Sequence, residues 1–377
     1  RMNILMVEPF HSGSHKAFLD GFQSHTRHRV FPVSLPTKGW KWRLRGDSVE
    51  LALMAREVAE PIDLLLVSSM TNLPAFLALT NPRFAATPKV MFMHESQLTQ
   101  PLPEGEERDL TYCYVNYLSM LAADRLLFTS RYHLHDTLQA LPAFLEHYPG
   151  AKGVDGAAAI AAKSTVIPPG LDLGRFDSQP DLRAGNERPV IVWNQRWQFD
   201  RNPAMFFRVM NRLYDIDLGF ELILAGDTEH EKPAEFEKAK ERFGSWISHY
   251  GFVGDAAEYS RLLHRGDIVV STADYEFFCV AIMEAVYCGC HPVVPAALHY
   301  PELIPRSLQR PLLHAPVLYE NEDELFRTLR GLLRGETRPL PKASLQAINR
   351  HMDWSVMAPE YDSLLEQVLT EPARGGI

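Results

Sequence analysis

The sequence predicts an α/β protein built from two doubly wound domains, and three observations lead to this prediction. Short apolar runs alternate with longer amphipathic stretches along nearly the whole chain, as buried parallel strands alternate with helices. The alternation occurs in two series, separated by a stretch rich in Gly, Pro and Asp. The length of 377 residues fits two domains, and 46% hydrophobic residues can fill two cores.

The first series predicts an N-terminal Rossmann-like domain over residues 2–172. Its predicted strands are Ile4–Val7, Val30–Val33, Leu64–Val67, Val90–Met93 and Leu126–Phe128. Its predicted helices include Ser48–Glu60, Asn72–Leu79, Arg108–Ala123 and Arg131–His147. Gly150–Lys163 is rich in Ala and Gly, which predicts a loop or a loose helix.

The second series predicts a second Rossmann-like domain over residues 188–352. Its predicted strands are Val190–Trp193, Leu222–Ala225, Ile268–Ser271 and Pro292–Val294, with helices at Pro203–Tyr214, Pro233–Phe243, Ala256–Arg265 and Val280–Tyr287. Asp172–Arg188 lacks a sustained period and predicts a linker with the hinge. We expect a final helix within 353–370 to pack back on the first domain. Such sheets bind ligands beyond the carboxyl ends of their strands, so we expect the domains to face each other across a cleft.

Composition and charge exclude several classes of protein. The formal net charge is −9, so a polyanionic partner needs a local basic patch. No run of about 18 apolar residues occurs, which predicts no membrane span. The N-terminal residues enter a strand pattern at once, without the layout of a signal peptide, and we expect a cytoplasmic protein.

The cysteines and acidic residues show no metal-binding pattern. Cys113, Cys279, Cys288 and Cys290 lack zinc-site spacing and are interpreted as buried thiols, although Cys288 and Cys290 could also form a redox pair. No Asp-x-Asp pair follows a predicted strand. We therefore expect neither a metal nor a bound cofactor.

Two carboxylates near one helix N-terminus form the most informative motif. Glu276 precedes the predicted helix and Glu284 lies inside it, with Phe277, Phe278, Cys279 and Val280 between them. The N–H groups at this helix start suit a phosphate, and the carboxylates can accept hydrogen bonds from sugar hydroxyls. The alternative is a capping acid followed by a salt-bridged helix glutamate.

Two arginines follow the first strand of the second domain. Arg196 and Arg201 are placed at the carboxyl end of that strand, where guanidinium groups can hold a diphosphate. The alternative is a pair of ordinary surface arginines beside Asp200 and Asp227.

Two polar segments follow strands of the first domain. Gly13 and Ser14 lie in the first turn, where backbone can approach a phosphate or sugar, or the turn can simply cap a helix. The turn is neither a GxGxxG fingerprint nor a P-loop. His94 follows a strand with Glu95 and Gln97, and it could orient a hydroxyl or handle a proton. The alternative is a histidine satisfied at a strand end.

These motifs together resemble the GT-B glycosyltransferases, specifically the large family-four retaining group. The resemblance implies that Arg196 and Arg201 hold the donor diphosphate and that Glu276 and Glu284 hold the donor sugar and ribose. Arg201 stands where that group usually has lysine, which keeps the charge.

A closer resemblance is to the tRNA-queuosine α-mannosyltransferase family. It rests on Glu8–Lys16, Leu35–Arg43, His94–Gln97, Glu107–Asp109 and Glu276–Cys290, and it extends over nearly the whole chain. The resemblance implies transfer of mannose from GDP-mannose to queuosine in the anticodon of an aspartate tRNA.

A basic and aromatic segment independently suggests an RNA acceptor. Lys38, Lys41 and Arg43 interleave with Trp40 and Trp42, as in proteins that hold single-stranded loops, although a solvated basic loop would look the same. To this acceptor surface we also assign His15, Lys16, Glu95, Gln97 and Arg108.

Three other functions remain open at this point. A nucleotide-sugar epimerase would share the architecture but need no acceptor. A non-catalytic binding module would leave the charged motifs without a role. A glycosyltransferase for a small molecule, lipid or polysaccharide would share the donor motifs, but Ser48–Glu60 is acidic and unlike a lipid-surface helix.

Overall fold

The chain forms two compact units. A computed structural model describes residues 1–37, 39, 44, 47–148, 150, 155–228, 232–371 and 374–375. Unit 1 comprises residues 1–170 and 354–377, and unit 2 comprises residues 171–353.

Unit 1 is built on a parallel sheet with strand order β2-β1-β3-β4-β5-β6 among the described residues. The strands are β1 Asn3–Glu8, β2 Arg29–Ser34, β3 Leu64–Ser68, β4 Lys89–Met93, β5 Arg125–Phe128 and β6 Ser164–Val166. The helices are Gly13–His25, Ser48–Glu57, Leu73–Leu79, Leu110–Ala122, Arg131–Leu145, Gly156–Ala162 and Trp354–Thr370. Alternate residues of β1 enter different cores, Leu5 and Val7 on one face and Ile4 and Met6 on the other, so both faces are covered.

The C-terminal helix Trp354–Thr370 packs on the N-terminal part of unit 1, as expected. Trp354 fits against Gly21 and Gly170, where a Cβ atom would collide with the indole ring. The Tyr361 hydroxyl donates to Pro168 O (2.9 Å). The helix therefore completes the core of a domain that begins more than 300 residues earlier in the sequence.

Unit 2 repeats the design, with strand order β12-β11-β10-β7-β8-β9 among the described residues. The strands are β7 Val190–Trp193, β8 Glu221–Ala225, β9 Ile247–Gly251, β10 Ile268–Val270, β11 His291–Pro295 and β12 Leu318–Tyr319. The helices are Pro203–Asp215, Ala234–Phe243, Ala256–Arg265, Val280–Tyr287, Tyr300–Leu303, Arg306–Gln309, Glu322–Leu333 and Lys342–Asn349. Apolar clusters again cover both faces, with Val190 and Val192 on one side and Ile191 on the other.

The prediction of two doubly wound α/β domains is confirmed, while several details differ. The edge strands β6, β9 and β12 were not predicted, because they are short or only partly buried and lack a long apolar run. Within residues 150–163, which were predicted as a loop or a loose helix, Gly156–Ala162 is a helix.

The predicted linker over 172–188 belongs to unit 2. Leu182 N donates to His264 O (3.1 Å), and Arg183 Nη2 donates to Leu263 O (3.0 Å). These hydrogen bonds attach the segment to the rest of unit 2, although its irregular sequence pattern predicted a linker between the domains. Among the described residues, no helix is both long and apolar enough to cross a bilayer.

Candidate active site

Arg196 lies in the loop after β7, which is held in place by the tryptophan residues on either side of it. The ring of Trp193 is buried and its Nε1 donates to Gln195 O (2.9 Å), while Trp197 Nε1 donates to Ala225 O (3.2 Å). Arg196 between them is exposed, and its guanidinium has no hydrogen-bond or ion-pair partner in the part of the chain that the structure describes. A cation held in this way is available to an anionic ligand.

Arg201, in contrast, is buried and already engaged. It closes the short turn Phe199–Arg201 and is 8% exposed. Its Nη1 donates to Tyr275 O (2.7 Å) and to Asp200 Oδ2 (3.2 Å), and its Nη2 lies 3.7 Å from Glu276 Oε1. Because a buried charge needs compensation, Arg201 stabilises the loop that carries Glu276 as well as adding positive charge there.

Glu276 is an ionised carboxylate in a buried setting. It is 5% exposed, and its Oε2 accepts a hydrogen bond from the Tyr300 hydroxyl (2.9 Å). Burial by itself would raise the pKa of Glu276, but the charge of Arg201 and the hydrogen bond from Tyr300 outweigh it and hold that pKa below its ordinary value. The carboxylate can therefore accept hydrogen bonds from ligand hydroxyls across the physiological pH range.

The start of helix Val280–Tyr287 is partly occupied by the protein itself. Cys279 N donates to His299 Nε2 (3.2 Å), so this N–H, which we expected to be available to a phosphate, is not. Burial lowers the pKa of His299 to about 4, which keeps the ring a neutral acceptor. The N–H groups of Val280 and Ala281 have no partner within the described ranges, and at a helix start they can still receive an anion.

Glu284 lies on the same helix and pairs with an arginine that the sequence did not single out. Glu284 is 9% exposed, and its carboxylate pairs with Arg175 and accepts from the Tyr259 hydroxyl (3.3 Å). Burial raises the pKa of Glu284, and Arg175 opposes that rise. The Arg175 guanidinium lies 4.6 Å above the Phe176 ring, which fixes its position.

Unit 1 has a second polar cluster at the carboxyl ends of β1, β3 and β4. Glu8 Oε1 accepts from Phe10 N (2.8 Å) and the Ser68 hydroxyl (3.1 Å), and Glu8 Oε2 pairs with His15 Nδ1 (3.0 Å). His15 Nε2 pairs with Glu95 Oε2 (2.8 Å). The His94 ring stacks on His15 with a centroid distance of 3.8 Å. We call Glu8, His15, His94 and Glu95 the His15 cluster.

Three residues of the His15 cluster also have the spacing of possible metal ligands. Glu8, His15 and His94 each place a ligand atom within 4.8 Å of the others, a grouping that metal ions can use. However, both ring nitrogens of His15 are directed at carboxylate oxygens, which requires a proton on each and leaves no lone pair for a metal. The donor set fits a network of charged hydrogen bonds better than a metal site.

Several predicted acceptor residues have structural partners instead. His15 and Gln97 are buried (both 6% exposed), and their assignment to direct RNA contact stays a prediction. Arg108 donates to Gln97 O and Gln100 O (both 2.8 Å) and braces that loop. Lys16 is exposed and pairs with Asp20.

The remaining predicted residues divide into exposed and buried groups. Gly13 is exposed, has a φ of +52° and has open space where a Cβ would be, so backbone is accessible there. Ser14 is exposed, Glu95, Phe278 and Val280 are half-buried, and Phe277 and Cys279 are buried. The basic segment, with Lys38, Trp40, Lys41, Trp42 and Arg43, lies outside the described residues.

Four residues that complete these sites have no assigned role in the sequence patterns above. They are Glu8, Arg175, His299 and Tyr300. Glu8 directly follows a predicted strand, and polar residues at that position of a parallel sheet often belong to a binding site. Arg175 lies in the segment interpreted as a linker, and His299 and Tyr300 reach Glu276 and Cys279 only through tertiary packing.

Comparison with known proteins places the chain in a family. A sequence model described as the tRNA-queuosine alpha-mannosyltransferase N-terminal region matches residues 3–171, and a model of group 1 glycosyl transferases matches residues 175–314. A tRNA-queuosine alpha-mannosyltransferase of Drosophila melanogaster is 35% identical over 317 residues, which cover 81% of this chain and 82% of the relative.

Solved structures share the fold at low sequence identity. Sucrose-phosphate synthase from Thermosynechococcus elongatus superimposes with a TM-score of 0.71 at 15% identity, covering 98% of this chain and all of that chain. HepE from Anabaena, in complex with UDP, has a TM-score of 0.68 at 17% identity, covering 97% and 100%. With two parallel six-stranded sheets in the described residues, these likenesses establish a GT-B fold. The chain is a glycosyltransferase and belongs to the tRNA-queuosine alpha-mannosyltransferase family.

Proposed function

We propose that the protein transfers mannose from GDP-mannose to the cyclopentenediol of queuosine in the anticodon of an aspartate tRNA, in the cytoplasm. The family membership supports queuosine as the acceptor and mannose as the sugar. The observation that carries the proposal is the exposed Arg196, beside the buried Arg201–Glu276 pair, at the carboxyl end of β7.

Unit 2 binds the donor in this proposal. Arg196 and the N–H groups of Val280 and Ala281 bind the diphosphate, and the buried Arg201 adds positive charge nearby. Glu276 accepts hydrogen bonds from the sugar hydroxyls, and Glu284, steadied by Arg175, accepts from the ribose. These fixed donors stabilise the negative charge that grows on departing GDP, so the reaction runs without a metal ion.

The transfer proceeds with retention of configuration. GDP-mannose carries an α-linked sugar, so an α-linked product has the same configuration at C1. In a same-face reaction the queuosine hydroxyl oxygen bonds to C1 as the bond from C1 to the diphosphate oxygen breaks. The hydroxyl proton leaves with GDP, and no protein nucleophile is required.

Mass analysis of tRNA nucleosides tests the proposal. The protein is incubated with GDP-mannose and aspartate tRNA that contains or lacks queuosine, with EDTA present in a parallel reaction. A hexose gained on queuosine alone, with or without EDTA, supports donor, acceptor and metal independence. Release of mannose and GDP without tRNA modification contradicts the acceptor. Conversion of GDP-mannose to another GDP-sugar would identify an epimerase instead.

The donor nucleotide is tested separately. UDP-glucose and UDP-mannose replace GDP-mannose at equal concentration in the same reaction. We expect hexose transfer from GDP-mannose alone, and efficient transfer from a UDP-sugar would contradict the proposed donor.

A further inference from the structure

The His15 cluster has a buried charge arrangement that the proposed donor chemistry does not use. His15 is 6% exposed and lies between Glu8 and Glu95 with nitrogen–oxygen distances of 3.0 and 2.8 Å. The second oxygen of each carboxylate is also occupied, because Ser68 donates to Glu8 and Ser69 donates to Glu95 (2.6 Å). Both carboxylates are therefore fixed in orientation around one imidazole ring.

This arrangement specifies the protonation state of His15. A neutral imidazole has one N–H and can donate to only one carboxylate, whereas an imidazolium donates to both. Burial alone would lower the pKa of His15, but the charges of Glu8 and Glu95 outweigh it and raise that pKa to about 10. His15 is a cation at neutral pH.

His94 is consequently neutral. Its ring lies 3.8 Å from the His15 ring at an interplanar angle of 23°, so a second positive charge there would be repelled at short range. Burial and the charge of His15 hold the pKa of His94 well below its ordinary value. The other titratable groups around it are Glu8, whose Oε2 lies 3.9 Å from His94 Nε2, Glu95, and His133, whose own pKa is lowered to about 3 by burial.

The ring nitrogens of His94 remain unpaired within the described part of the chain, on a side chain that is 6% exposed. Its ring nitrogens make no hydrogen bond with the residues that the structure describes, and neither is among the fully enclosed unpaired polar atoms. Phe18 and Phe92 contact the ring edge-on, with centroid distances of 5.7 and 4.6 Å, and fix its plane. Its backbone N–H donates to the Ser69 hydroxyl (3.1 Å) and anchors the residue after β4.

We propose that His15, clamped as an imidazolium between Glu8 and Glu95, is a positioning residue that keeps His94 neutral, and that neutral His94 accepts the hydrogen bond of the acceptor hydroxyl. The acceptor half of this inference rests on the proposed function. A protonated His94 would have no lone pair for that hydroxyl.

Histidine NMR of the full-length protein tests the charge states without any substrate. With ¹³C/¹⁵N-labelled histidine, we expect His15 to stay protonated up to about pH 9 and His94 to stay neutral at pH values where an ordinary histidine is already protonated, each assigned by a single substitution. Glu8→Gln removes one carboxylate with little change of shape and should lower the pKa of His15. A neutral His15 at pH 7, or a His94 that titrates near its ordinary pKa of about 6.5, overturns the inference.

The pH profile of transfer tests the consequence for activity. In His15→Gln the cation is lost and Glu8 remains 3.9 Å from His94 without its partner, so His94 becomes easier to protonate. We expect this variant to lose at least tenfold in kcat near pH 6.5 and to recover toward pH 9. The double variant Glu8→Gln/His15→Gln should regain part of the loss near neutrality.

Other outcomes contradict the inference directly. A loss that is equal at every pH in His15→Gln would indicate a purely structural role. Activity that EDTA abolishes and zinc restores would identify the cluster as a metal site. If the wild-type enzyme transfers no mannose to queuosine, the proposed function and the acceptor half fail together, while the NMR titration still decides the charge states.

Discussion

Removal of the Arg196 guanidinium should damage catalysis much more than folding. The side chain is exposed and has no partner in the described ranges, so Arg196→Ala should change the free energy of unfolding by no more than about 0.5 kcal/mol. If Arg196 stabilises the departing diphosphate, its loss costs about 3 kcal/mol in the transition state, or roughly 10²-fold in kcat.

Arg201→Ala should have the opposite balance. Arg201 is 8% exposed and is the basic partner of both Asp200 and Glu276. Its loss leaves two carboxylates buried with less compensation, which costs about 3–5 kcal/mol of stability. A loss of kcat with unchanged stability in Arg196→Ala and a loss of stability in Arg201→Ala would show that the first arginine binds the ligand and that the second also maintains the fold.

Urea unfolding and steady-state transfer, measured on the same preparations, check this prediction. Arg212→Ala is the control, because Arg212 is a half-buried arginine of unit 2 whose ion-pair partner Asp323 is exposed and which no part of the proposed mechanism uses. We expect the control to keep wild-type kcat within twofold. An Arg196→Ala enzyme that also keeps wild-type kcat within twofold would refute the assignment of this arginine to the diphosphate.

Three further predictions address packing, thiols and pH. Gly21→Ala should lower the free energy of unfolding by about 1–3 kcal/mol, because its Cβ would collide with Trp354. Gly174→Ala is the control, because a Cβ there would enter open space, and equal urea midpoints for the two variants would contradict the packing of the C-terminal helix. All four thiols are buried, and burial raises the pKa of Cys290 to about 11, so Ellman's reagent should label none of them before unfolding. Because the pKa of His15 is raised in the folded state, its contribution to stability is complete below about pH 6.5 and is lost as the pH rises toward 10, at up to about 1.4 kcal/mol per pH unit. Urea unfolding at several pH values should therefore show that the free energy of unfolding declines less steeply with pH in His15→Gln than in the wild type. Equal slopes would contradict the raised pKa.

The sequence predicted the central strands of both sheets because their residues are apolar on both faces. Val190–Trp193, for example, was predicted with the same bounds that the structure has. Edge strands such as Leu318–Tyr319 lack this signal, since two residues in a strand give no period to detect. Gly156–Ala162 was ambiguous because small residues favour neither a helical stripe nor a strand.

The sequence also indicated which segments carry the candidate site, since parallel sheets bind ligands where their strands end. Arg196, Glu276 and His94 were selected in this way. The sequence could not separate the exposed Arg196 from the buried Arg201, although both are arginines five residues apart. Their exposure depends on the turn Phe199–Arg201, which directs the second guanidinium inward toward Tyr275 and Glu276.

The sequence alone therefore determined the fold class and the segments at the carboxyl ends of the strands, because burial periodicity and strand-end chemistry are local properties. Only the tertiary structure determined which polar groups are paired and which remain available. It brought Glu95 within 2.8 Å of His15, across 80 residues of chain, and paired Arg175 with Glu284 across 109. Charge and pKa depend on such neighbours in space, and separation along the chain does not reveal them.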